Sequence, residues 1–396
     1  MREMPKILEG KNFLLCVSGG IAVYKALELV RFFKKRGGNV KVAMSENAQK
    51  FVSSLSFETL SGNPVLLDGN EQWASGVDHI SYASWADVCL LVPATINSLS
   101  KFAYGMADNV MLSTLLASKA RKIIAPAANT QMYLSPQAQD SIQRLKEMGC
   151  IVIEPREDLL ACGVRGIGAL QEPEEIAYVA AREVLKHPFW CGKRVIVSGG
   201  GSSEEIDEVR CITNYSSGIQ ASFFALALYL LGAELVFVSS QKPFFLPLGI
   251  LSYQVKSVQD FYSVISQEAK NADFYFGIAA LSDFRPKIKR AGKIKKEEGL
   301  KVEFEKNLDV LLELKGVSKV GFKAEKDRDK ALIYAQKMLE QKDCDFVCLN
   351  VLEEENDFGS EKNRITLLSK NGEVIDLGMQ DKFCLAFRVL EIIAND

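Results

Sequence analysis

Short apolar runs alternate with segments of helical periodicity through the first half of the chain. The runs that predict strands are Asn12–Val17, Val40–Met44, Val88–Val92, Lys122–Ala125 and Ile151–Ile153. The segments with apolar residues at helical spacing are Ile21–Lys35, Leu99–Ala117 and Pro136–Met148. Strands that are apolar on both faces and separated by helices are typical of a parallel sheet with right-handed crossovers.

The same pattern begins again after Lys186–Gly192, where a proline and a glycine interrupt it. The strands predicted in the second half are Val195–Val197, Leu235–Val238, Phe274–Ala279 and Asp345–Leu349, and a helix is predicted over Ser222–Leu231. Arg364–Leu377, with Asn371-Gly372 at its centre, predicts a β-hairpin. The sequence therefore predicts an α/β protein of two Rossmann-like three-layer domains, residues 1–188 and 189–396.

Composition and charge narrow the class of protein. The 396 residues suit two or three domains, and 48% hydrophobic with 25% charged residues is ordinary for a globular protein. A formal net charge of -2 gives no reason to expect nucleic acid or an anionic membrane as a partner. Met1–Gly10 has no apolar signal core, and the longest apolar run, Phe223–Leu231, is too short to span a bilayer.

The cysteines and histidines limit the chemistry further. The 9 cysteines form no C-x-x-C pair, which favours a reducing cytoplasm over a disulfide framework or a structural zinc site. The chain has 2 histidines, His79 and His187, so a mechanism that needs a histidine has two candidates.

A glycine turn, Ser18-Gly19-Gly20-Ile21-Ala22, joins the first predicted strand to the first predicted helix. Backbone N–H groups at a helix start bind phosphate, and glycine lets the phosphate approach closely. The turn is not the G-x-G-x-x-G fingerprint, and the second strand ends in Met44-Ser45-Glu46-Asn47 without the acidic residue which that fingerprint expects. The turn therefore favours a phosphate-bearing mononucleotide over NAD as the ligand. An NAD-dependent oxidoreductase is the weaker functional alternative. A tight turn that binds no ligand is the purely structural alternative.

Three polar clusters follow predicted strands of the first half. They are residues 93–98 (PATINS), 125–132 (APAANTQM) and 160–168 (LACGVRGIG). Ligands in open α/β sheets lie beyond the carboxyl ends of the strands, so we expect these clusters to form one shared site.

These segments resemble the homo-oligomeric flavin-containing cysteine decarboxylases, from about residue 11 to residue 180. The shared motifs are SGGIA-x-YKA, Asp78-His79-Ile80, PAT-x-N, the G-x-AD of Gly105–Asp108, PA-x-N-xx-M and ACG-xx-G-x-G. The resemblance implies bound FMN and decarboxylation of a cysteine-derived carboxylate. It also implies that His79 is the catalytic base, that Asn129 holds the substrate carboxylate and that Cys162 acts late as the proton donor. A neutral imidazole suits proton transfer near neutral pH.

The resemblance also implies a set of FMN-binding residues, with Met132 against the substrate: Ser18, Gly19, Gly20, Ile21, Ser45, Asn47, Pro93, Ala94, Thr95, Asn97 and Ser98. Each catalytic candidate also has a structural alternative, which the resemblance makes the weaker interpretation: His79 as a surface residue, Cys162 as a small buried residue and Asn129 as a turn residue. Two departures from the family pattern, Ile96 and Ala128, change side-chain volume near the flavin without removing a catalytic group.

The second half has its own glycine-rich turn, Gly199-Gly200-Gly201-Ser202-Ser203, directly after a predicted strand. Glycines allow close backbone approach, and the Ser, Thr and Asn side chains up to Gly218 supply neutral donors, which suits a nucleotide. Lys293, Lys295 and Lys296 form a basic run that is either a solvated face or a site that neutralises a triphosphate.

Residues 192–395 resemble the phosphopantothenate–cysteine ligase domain. The shared motifs are GG-x-x-E-x-ID-x-VR, I-x-N-x-SSG, A-x-SD-x-RP, KIKK, Lys306-Asn307-x-Asp309, GF-x-AE, D-x-V-x-x-N ending at Asn350, and Phe358-Gly359 through Arg364. The resemblance implies that the 4′-phosphopantothenate carboxylate attacks the α-phosphate of CTP, with Mg²⁺ on the phosphates, and that the cysteine amine then displaces CMP. Lys293 would stabilise charge in the first step and Asn214 would support the acyl-cytidylate. The CTP-binding residues implied are Gly277, Ile278, Ala279, Asp283, Leu308, Asp309, Val310, Leu311, Phe322 and Lys342.

Departures are larger in this half. The usual SSG-K-x-G has Ile219 and Ala221 in place of its lysine and second glycine. A lysine pair at i, i+4 is expected before Asp345, but Met338 occupies the first position, and Lys337 is predicted to point ~100° away around its helix. Lys323 is a candidate substitute. A decarboxylase with an impaired ligase domain is therefore one alternative.

Together the two resemblances cover the chain and point to the bacterial bifunctional coenzyme A biosynthesis family, in which the ligase product is the decarboxylase substrate. The implied partners are 4′-phosphopantothenate, cysteine and CTP. The first domain is expected to form trimers with FMN at the subunit contact and the second to form dimers, which together give a dodecamer. The remaining alternative is a non-enzymatic FMN-binding regulator. Such regulators usually carry an acidic tail, and the final residues here, Ile392-Ile393-Ala394-Asn395-Asp396, do not resemble one.

Overall fold

The computed structural model describes residues 5–73, 76–243, 245–295, 300–352 and 360–396. Lys296 of the basic run and Phe358-Gly359 of the ligase motif lie outside these residues. Contacts between residues divide the chain into two compact units, Met1–Leu185 and Lys186–Asp396. Within the described ranges, every helix is too short or too polar to cross a membrane.

The N-terminal unit alternates strands and helices, as the sequence predicts. Its strands are Asn12–Val17 (β1), Asn39–Met44 (β2), Val65–Leu66 (β3), Val88–Ala94 (β4), Arg121–Pro126 (β5), Ile151–Val152 (β6), Arg156–Leu159 (β7) and Arg165–Ala169 (β8). Its helices are Val23–Lys35 (α1), Glu46–Gln49 (α2), Ser54–Ser61 (α3), Asp78–Trp85 (α4), Ile96–Ala103 (α5), Val110–Ala117 (α6), Thr130–Leu134 (α7), Pro136–Glu147 (α8) and Pro173–Leu185 (α9).

Six of these strands form one parallel sheet in the order β3-β2-β1-β4-β5-β6. The order reverses between β1 and β4, which leaves a crevice at their carboxyl ends because the chain leaves the two strands in opposite directions. Every residue of β4 is buried, as its uninterrupted apolar run predicts. β7 and β8 form a separate antiparallel hairpin.

The C-terminal unit repeats this organisation. Its strands are Arg194–Gly199 (β9), Ser203–Glu205 (β10), Cys211–Thr213 (β11), Glu234–Ser239 (β12), Leu251–Gln254 (β13), Phe274–Gly277 (β14), Phe284–Pro286 (β15), Phe304–Lys306 (β16), Ser318–Glu325 (β17), Phe346–Val351 (β18), Lys362–Ser369 (β19) and Val374–Asp381 (β20). Its helices are Ile219–Leu230 (α10), Val258–Glu268 (α11), Val310–Glu313 (α12), Arg328–Gln341 (α13) and Lys382–Asn395 (α14), with a 3₁₀ turn at Ala269–Asn271.

Eight strands form the second sheet, in the order β13-β12-β9-β14-β17-β18-β19-β20. The first six run parallel, and β19 and β20 add an antiparallel edge. The predicted hairpin is confirmed, with Gly372 at φ 91° in its turn. Trp190 anchors the core of this unit: it is fully buried, and its indole N–H donates to the Leu390 carbonyl at 3.0 Å.

One predicted helix is wrong in its extent, and one strand was not predicted. The single helix predicted over Leu99–Ala117 is two helices, α5 and α6, because the chain turns at Gly105 with φ 71°. β17 lies at the centre of the second sheet, although no strand is predicted there. Its lysines, Lys319 and Lys323, interrupt the apolar run on which such predictions depend.

Candidate active sites

A cavity of about 970 Å³ lies at the carboxyl ends of β1, β4 and β5 in the N-terminal unit. The three polar clusters of the sequence converge there, as expected. The predicted cofactor and substrate residues that line it are Gly19, Gly20, Ile21, Ser45, Asn47, Pro93, Thr95, Asn97, Ser98, Asn129, Met132 and Cys162. Ser18 and Ala94 are fully buried behind this lining.

The glycine turn makes room for the neighbouring loop. A Cβ on Gly19 would lie 2.5 Å from Asn47 Cβ and 2.6 Å from the Asn47 backbone carbon, so only glycine fits. A Cβ on Gly20 would meet nothing closer than Thr95 Cγ2 at 3.6 Å. The turn therefore presents open backbone to the cavity at Gly20, while Gly19 lets β1 and β2 end side by side.

Ser18 and Thr95 tie the ends of β1 and β4 together. The Ser18 hydroxyl donates to the Pro93 carbonyl at 2.7 Å and accepts from the Thr95 N–H at 2.9 Å. Thr95 in turn caps α5, because its hydroxyl accepts from the Ser98 N–H at 3.3 Å. The result is a group of hydroxyls and N–H donors at a helix start, which suits a phosphate.

Asn129 and Cys162 are 33 residues apart in sequence and meet at the cavity wall, where the Asn129 amide donates to Cys162 Sγ at 3.7 Å. Asn129 also caps α7 through the Gln131 N–H at 2.9 Å, which fixes its side chain. The β7–β8 hairpin brings Cys162 over this loop. A Cβ on Gly168 would lie 2.2 Å from the Ala128 carbonyl oxygen, and one on Gly166 would lie 2.4 Å from Thr130 Oγ1. The G-x-G of the sequence motif is thus a requirement of hairpin packing.

His79 lies in the first turn of α4, outside the set of described residues that line the cavity. Its Nδ1 is 2.5 Å from Glu71 Oε1, and the Trp73 ring packs edge-on at 5.8 Å. The structure therefore brings Asn129 and Cys162 together with the predicted cofactor residues, but it does not bring His79 to them within one chain.

Several charged groups at this cavity were not predicted as site residues. They include Lys25, Lys101, Asp108 and Arg156. Lys101 Nζ is 2.5 Å from Asp108 Oδ2, and this hydrogen bond is the main reason that the pKa of Asp108 lies below its usual value. Asp108 belongs to the G-x-AD motif, so the sequence signal existed without an assigned role.

A second cleft, of about 560 Å³, lies at the carboxyl ends of β9, β14, β17 and β18 in the C-terminal unit. The predicted ligase residues that line it are Asn214, Gly277, Ile278, Ala279, Asp283, Leu308, Asp309, Val310, Leu311, Phe322 and Lys342. The 216–218 segment (SSG), Lys323, Tyr334 and Lys337 line it as well. In the part of the chain that the structure describes, no group of three or more His, Cys, Asp or Glu side chains could hold a metal ion.

The loops of this cleft are tied to each other through backbone. Asn214 donates its amide to the Leu281 carbonyl at 3.0 Å, and the Ser282 N–H donates to Ser202 Oγ at 2.9 Å. A Cβ on Gly201 would lie 2.5 Å from the Asn214 carbonyl oxygen, so the glycine-rich turn and the Asn214 segment approach only because Gly201 lacks one.

The cations of the cleft are arranged differently from the sequence expectation. Lys337 lines the cleft, which contradicts the prediction that it points away, and its Nζ lies 5.9 Å from the Tyr334 ring centre. Met338 lines the cleft as well and packs over Gly321, where a Cβ would lie 2.8 Å from its Cε. Lys342 pairs with Asp309 at 2.8 Å, whereas Lys323 is 3.8 Å from Glu325.

Lys293 does not belong to the described lining of the cleft. The neighbouring Ile294 is fixed instead: its N–H donates to buried Asp207 at 3.2 Å, and its carbonyl accepts from Arg210 at 3.3 Å. Asp207 and Arg210 of the GG-x-x-E-x-ID-x-VR motif thus hold the segment that carries Lys293 in place.

Comparison with known proteins agrees with this division into two sites. Residues 1–184 match the family model described as Flavoprotein, and residues 190–395 match the one described as the DNA/pantothenate metabolism flavoprotein C-terminal domain. The coenzyme A biosynthesis bifunctional protein CoaBC of Bacillus subtilis (strain 168) is 38% identical over 399 residues, covering 98% of each chain.

Two further similarities concern a second bacterium and a solved structure. The protein of the same description from Vibrio cholerae serotype O1 (strain ATCC 39315 / El Tor Inaba N16961) is 36% identical over 399 residues, covering 98% of each chain. A crystal structure of the C-terminal domain of a CoaBC protein covers 53% of this chain and 97% of its own, with 30% identity and a TM-score of 0.45. On the two family models and the full-length similarity, the chain belongs to the family of bifunctional coenzyme A biosynthesis proteins.

Proposed function

We propose that the two sites carry out consecutive reactions, with the C-terminal cleft acting first and the N-terminal cavity acting on its product. As a member of its family the chain is a bifunctional enzyme of coenzyme A biosynthesis, a ligase and a flavoprotein decarboxylase. The ligase condenses 4′-phosphopantothenate with cysteine, and the decarboxylase converts 4′-phosphopantothenoylcysteine to 4′-phosphopantetheine. The observation that carries the assignment is the meeting of Asn129 and Cys162 at a cavity with a phosphate-binding turn.

In the ligase cleft, the 4′-phosphopantothenate carboxylate attacks the α-phosphate of CTP and releases pyrophosphate. The cysteine amine then attacks the acyl carbon, the amide forms and CMP leaves with the electron pair of the broken bond. Asn214, held by the Leu281 carbonyl, is placed to support the acyl-cytidylate. We assign charge stabilisation to Lys342 and Lys323 within the cleft and to Lys293 from its anchored segment. Mg²⁺ would enter with CTP and neutralise charge on its phosphates, and the cleft carboxylates Asp283 and Asp309 would hold it.

FMN fits the N-terminal cavity on its donor set. Gly20 leaves backbone open, and Thr95 and Ser98 supply hydroxyls at the start of α5, where the phosphate would be held. FMN supplies two-electron redox chemistry, which creates an electron sink that a simple amino carboxylate lacks. Asn129 would hold the substrate carboxylate until CO₂ leaves, and Cys162 would return a proton to the product carbon skeleton.

The position of His79 supports an oligomeric decarboxylase. Because His79 lies outside the cavity of its own chain, we propose that His79 of the partner subunit completes each site in a trimer, with FMN at the subunit contact. The exposed apolar side chains of this unit, such as Ile21, Trp73 and Ile80, are suited to that contact. Dimers through the C-terminal unit would extend trimers to a dodecamer. We propose a reducing cytoplasm as the compartment, on the nine cysteines whose spacing gives no C-x-x-C pair.

An assay of both reactions tests the assignment. Purified protein should release CMP only when 4′-phosphopantothenate, cysteine and CTP are all present, and CO₂ should follow. Omission of cysteine should stop both products, and replacement of CTP by ATP should reduce them. Protein that binds no flavin and releases neither product would refute the proposed function.

Mixed oligomers test the shared site. His79→Asn and Cys162→Ser chains should each keep only a small residual rate of decarboxylation when purified alone. Coexpressed with different tags and isolated as mixed oligomers, they should recover about a third of wild-type activity if each trimer contains both chains, because one contact in three then pairs an intact His79 with an intact Cys162. In a dodecamer of randomly assembled trimers the share should be about a quarter. No recovery in confirmed mixed oligomers would place both residues in one chain's site.

A further inference from the structure

We propose that Glu71 is a positioning residue for decarboxylation, which holds the His79 imidazole in the tautomer with its free nitrogen at Nε2. The inference rests on the proposed catalytic role of His79. Glu71 Oε1 lies 2.5 Å from His79 Nδ1, with side-chain exposures of 14% and 18%. Glu71 belongs to none of the sequence motifs and does not line the cavity; it precedes His79 by eight residues.

The local fold is built to keep this contact. The Gln72 N–H donates to Asp78 Oδ2 at 2.8 Å, and the Asp78 N–H donates to the Gln72 carbonyl at 3.3 Å. These two bonds join the segment before α4 to the first turn of α4. Glu71 and His79 each lie next to one of the joined residues, so the two side chains face each other. Trp73 packs its ring against His79 at 5.8 Å and limits rotation of the imidazole.

The chemistry of the pair fixes the protonation of each nitrogen. An ionised carboxylate only accepts hydrogen bonds, so Nδ1 must carry the hydrogen that it donates to Glu71. In a neutral imidazole this leaves Nε2 unprotonated, with its lone pair directed away from Glu71. A base needs that lone pair at a fixed place. The carboxylate also stabilises the imidazolium that forms once Nε2 has taken a proton.

A purely structural role makes a different prediction. If Glu71 only held the segment before α4 in place, its removal would loosen the fold, reduce FMN content and act regardless of residue 79. If Glu71 acts through the imidazole, its removal matters only while His79 is present. The two roles therefore separate in a double-mutant cycle.

The experiment compares Glu71→Ala, Glu71→Asp, His79→Asn and the Glu71→Ala/His79→Asn double variant as FMN-loaded full-length enzymes. Glu147→Ala, which changes an exposed carboxylate on α8, is the matched control. Decarboxylation of 4′-phosphopantothenoylcysteine gives kcat and KM, while flavin absorbance and thermal melting report on the fold.

We expect Glu71→Ala to lower kcat about 10- to 100-fold, the usual cost of removing a residue that orients a functional histidine. KM, FMN content and melting temperature should stay near wild type. Glu71→Asp should recover part of kcat, and the double variant should be no slower than His79→Asn alone. The inference is overturned if Glu71→Ala keeps wild-type kcat, or if it slows His79→Asn as much as it slows wild type. Full decarboxylation by His79→Asn would instead refute the proposed role of His79.

Discussion

Replacement of Lys319 by methionine should destabilise the C-terminal unit and weaken CTP binding together. Lys319 lies in β17 with 2% of its surface exposed. Its ammonium donates to the carbonyls of Leu311, Leu314 and Lys342, at 3.2, 3.4 and 2.5 Å. These carbonyls belong to the ends of α12 and α13, which have no partners within their own helices. One buried cation thus joins the C-terminal end of α12, a one-turn helix whose N-cap is Asp309, to the C-cap residue of α13, Lys342.

The size of the effect follows from what methionine leaves behind. Methionine has nearly the same length and leaves no large cavity, so the change is electrostatic. Each buried carbonyl that loses its only strong donor costs about 1–3 kcal/mol, and three are affected. Against this, methionine removes the several kcal/mol cost of burying an ammonium. We expect a net loss of about 2–4 kcal/mol in the free energy of unfolding of this unit.

The cleft should respond as well, because Lys342 pairs with Asp309 at 2.8 Å and Asp309 caps α12 through the Leu312 N–H. Once the helix ends are free to move, KM for CTP should rise about tenfold, which corresponds to about 1.4 kcal/mol of binding. Denaturant unfolding and ligase kinetics measure the two effects. Decarboxylation by the same protein is an internal control, and Lys315→Met, at an exposed lysine nearby, is the matched variant. Unchanged stability and an unchanged KM would show that this ammonium does not organise the cleft.

Three further predictions test individual contacts. Gly19→Ala should reduce the FMN bound to purified protein, because its Cβ would lie 2.5 Å from Asn47 Cβ. Gly69→Ala, whose Cβ would meet nothing within 4 Å, should keep the flavin; equal flavin absorbance in the two variants would contradict this. Gly168→Ala should reduce decarboxylation more than tenfold and leave the ligase activity unchanged. Its Cβ would lie 2.2 Å from the Ala128 carbonyl oxygen, and the backbone at this position has φ +144°, which favours glycine. Equal loss of both activities would point to general misfolding instead. The pKa of Asp273 is lowered, mainly by the hydrogen bond from Lys193. Its contribution to the stability of the folded protein is therefore fully present at pH values above the usual pKa of an aspartate, and it is lost as the pH falls through the lowered pKa. Asp273→Asn should therefore melt below wild type at neutral pH, with the difference shrinking on acidification; a constant difference would exclude this titration.

Most strands of both sheets were predictable because they are short, apolar and bounded by polar turns. β1 has its predicted bounds, and β4 extends its prediction by two residues. β17 was missed because Lys319 breaks its apolar run, and only the structure shows that backbone carbonyls receive this charge. The periodicity of a sequence depends on which residues are hydrophobic. It cannot distinguish a lysine exposed to solvent from a buried lysine that donates to backbone carbonyls.

The candidate sites were likewise predictable only in part from the sequence. Motifs at strand ends predicted which residues converge, since parallel strands end at a common edge, and Asn129 with Cys162 illustrates this. Contacts made by irregular segments were not predictable. Glu71 reaches His79 from a stretch without periodicity, and Lys337 lines the cleft because a long side chain at the edge of a helix face can bend toward it. The rotation of about 100° per residue around a helix gives the direction of each Cβ only. The charge of a lysine lies several bonds beyond the Cβ, so this rotation does not determine where the charge lies.

The tryptophans are distributed so that their fluorescence can report on the two units separately. Of the 3 tryptophans, only Trp190 belongs to the C-terminal unit, where its fully buried indole should emit at short wavelength until that core opens. Trp73 is 66% exposed beside His79 in a single chain, so burial at the proposed subunit contact should shift its emission to shorter wavelength and protect it from iodide. Trp85 lies under the Lys41 ammonium at 4.8 Å. A Trp190→Phe protein would report fluorescence from the N-terminal unit alone, so the unfolding of each half can be followed in the intact chain without attaching a dye.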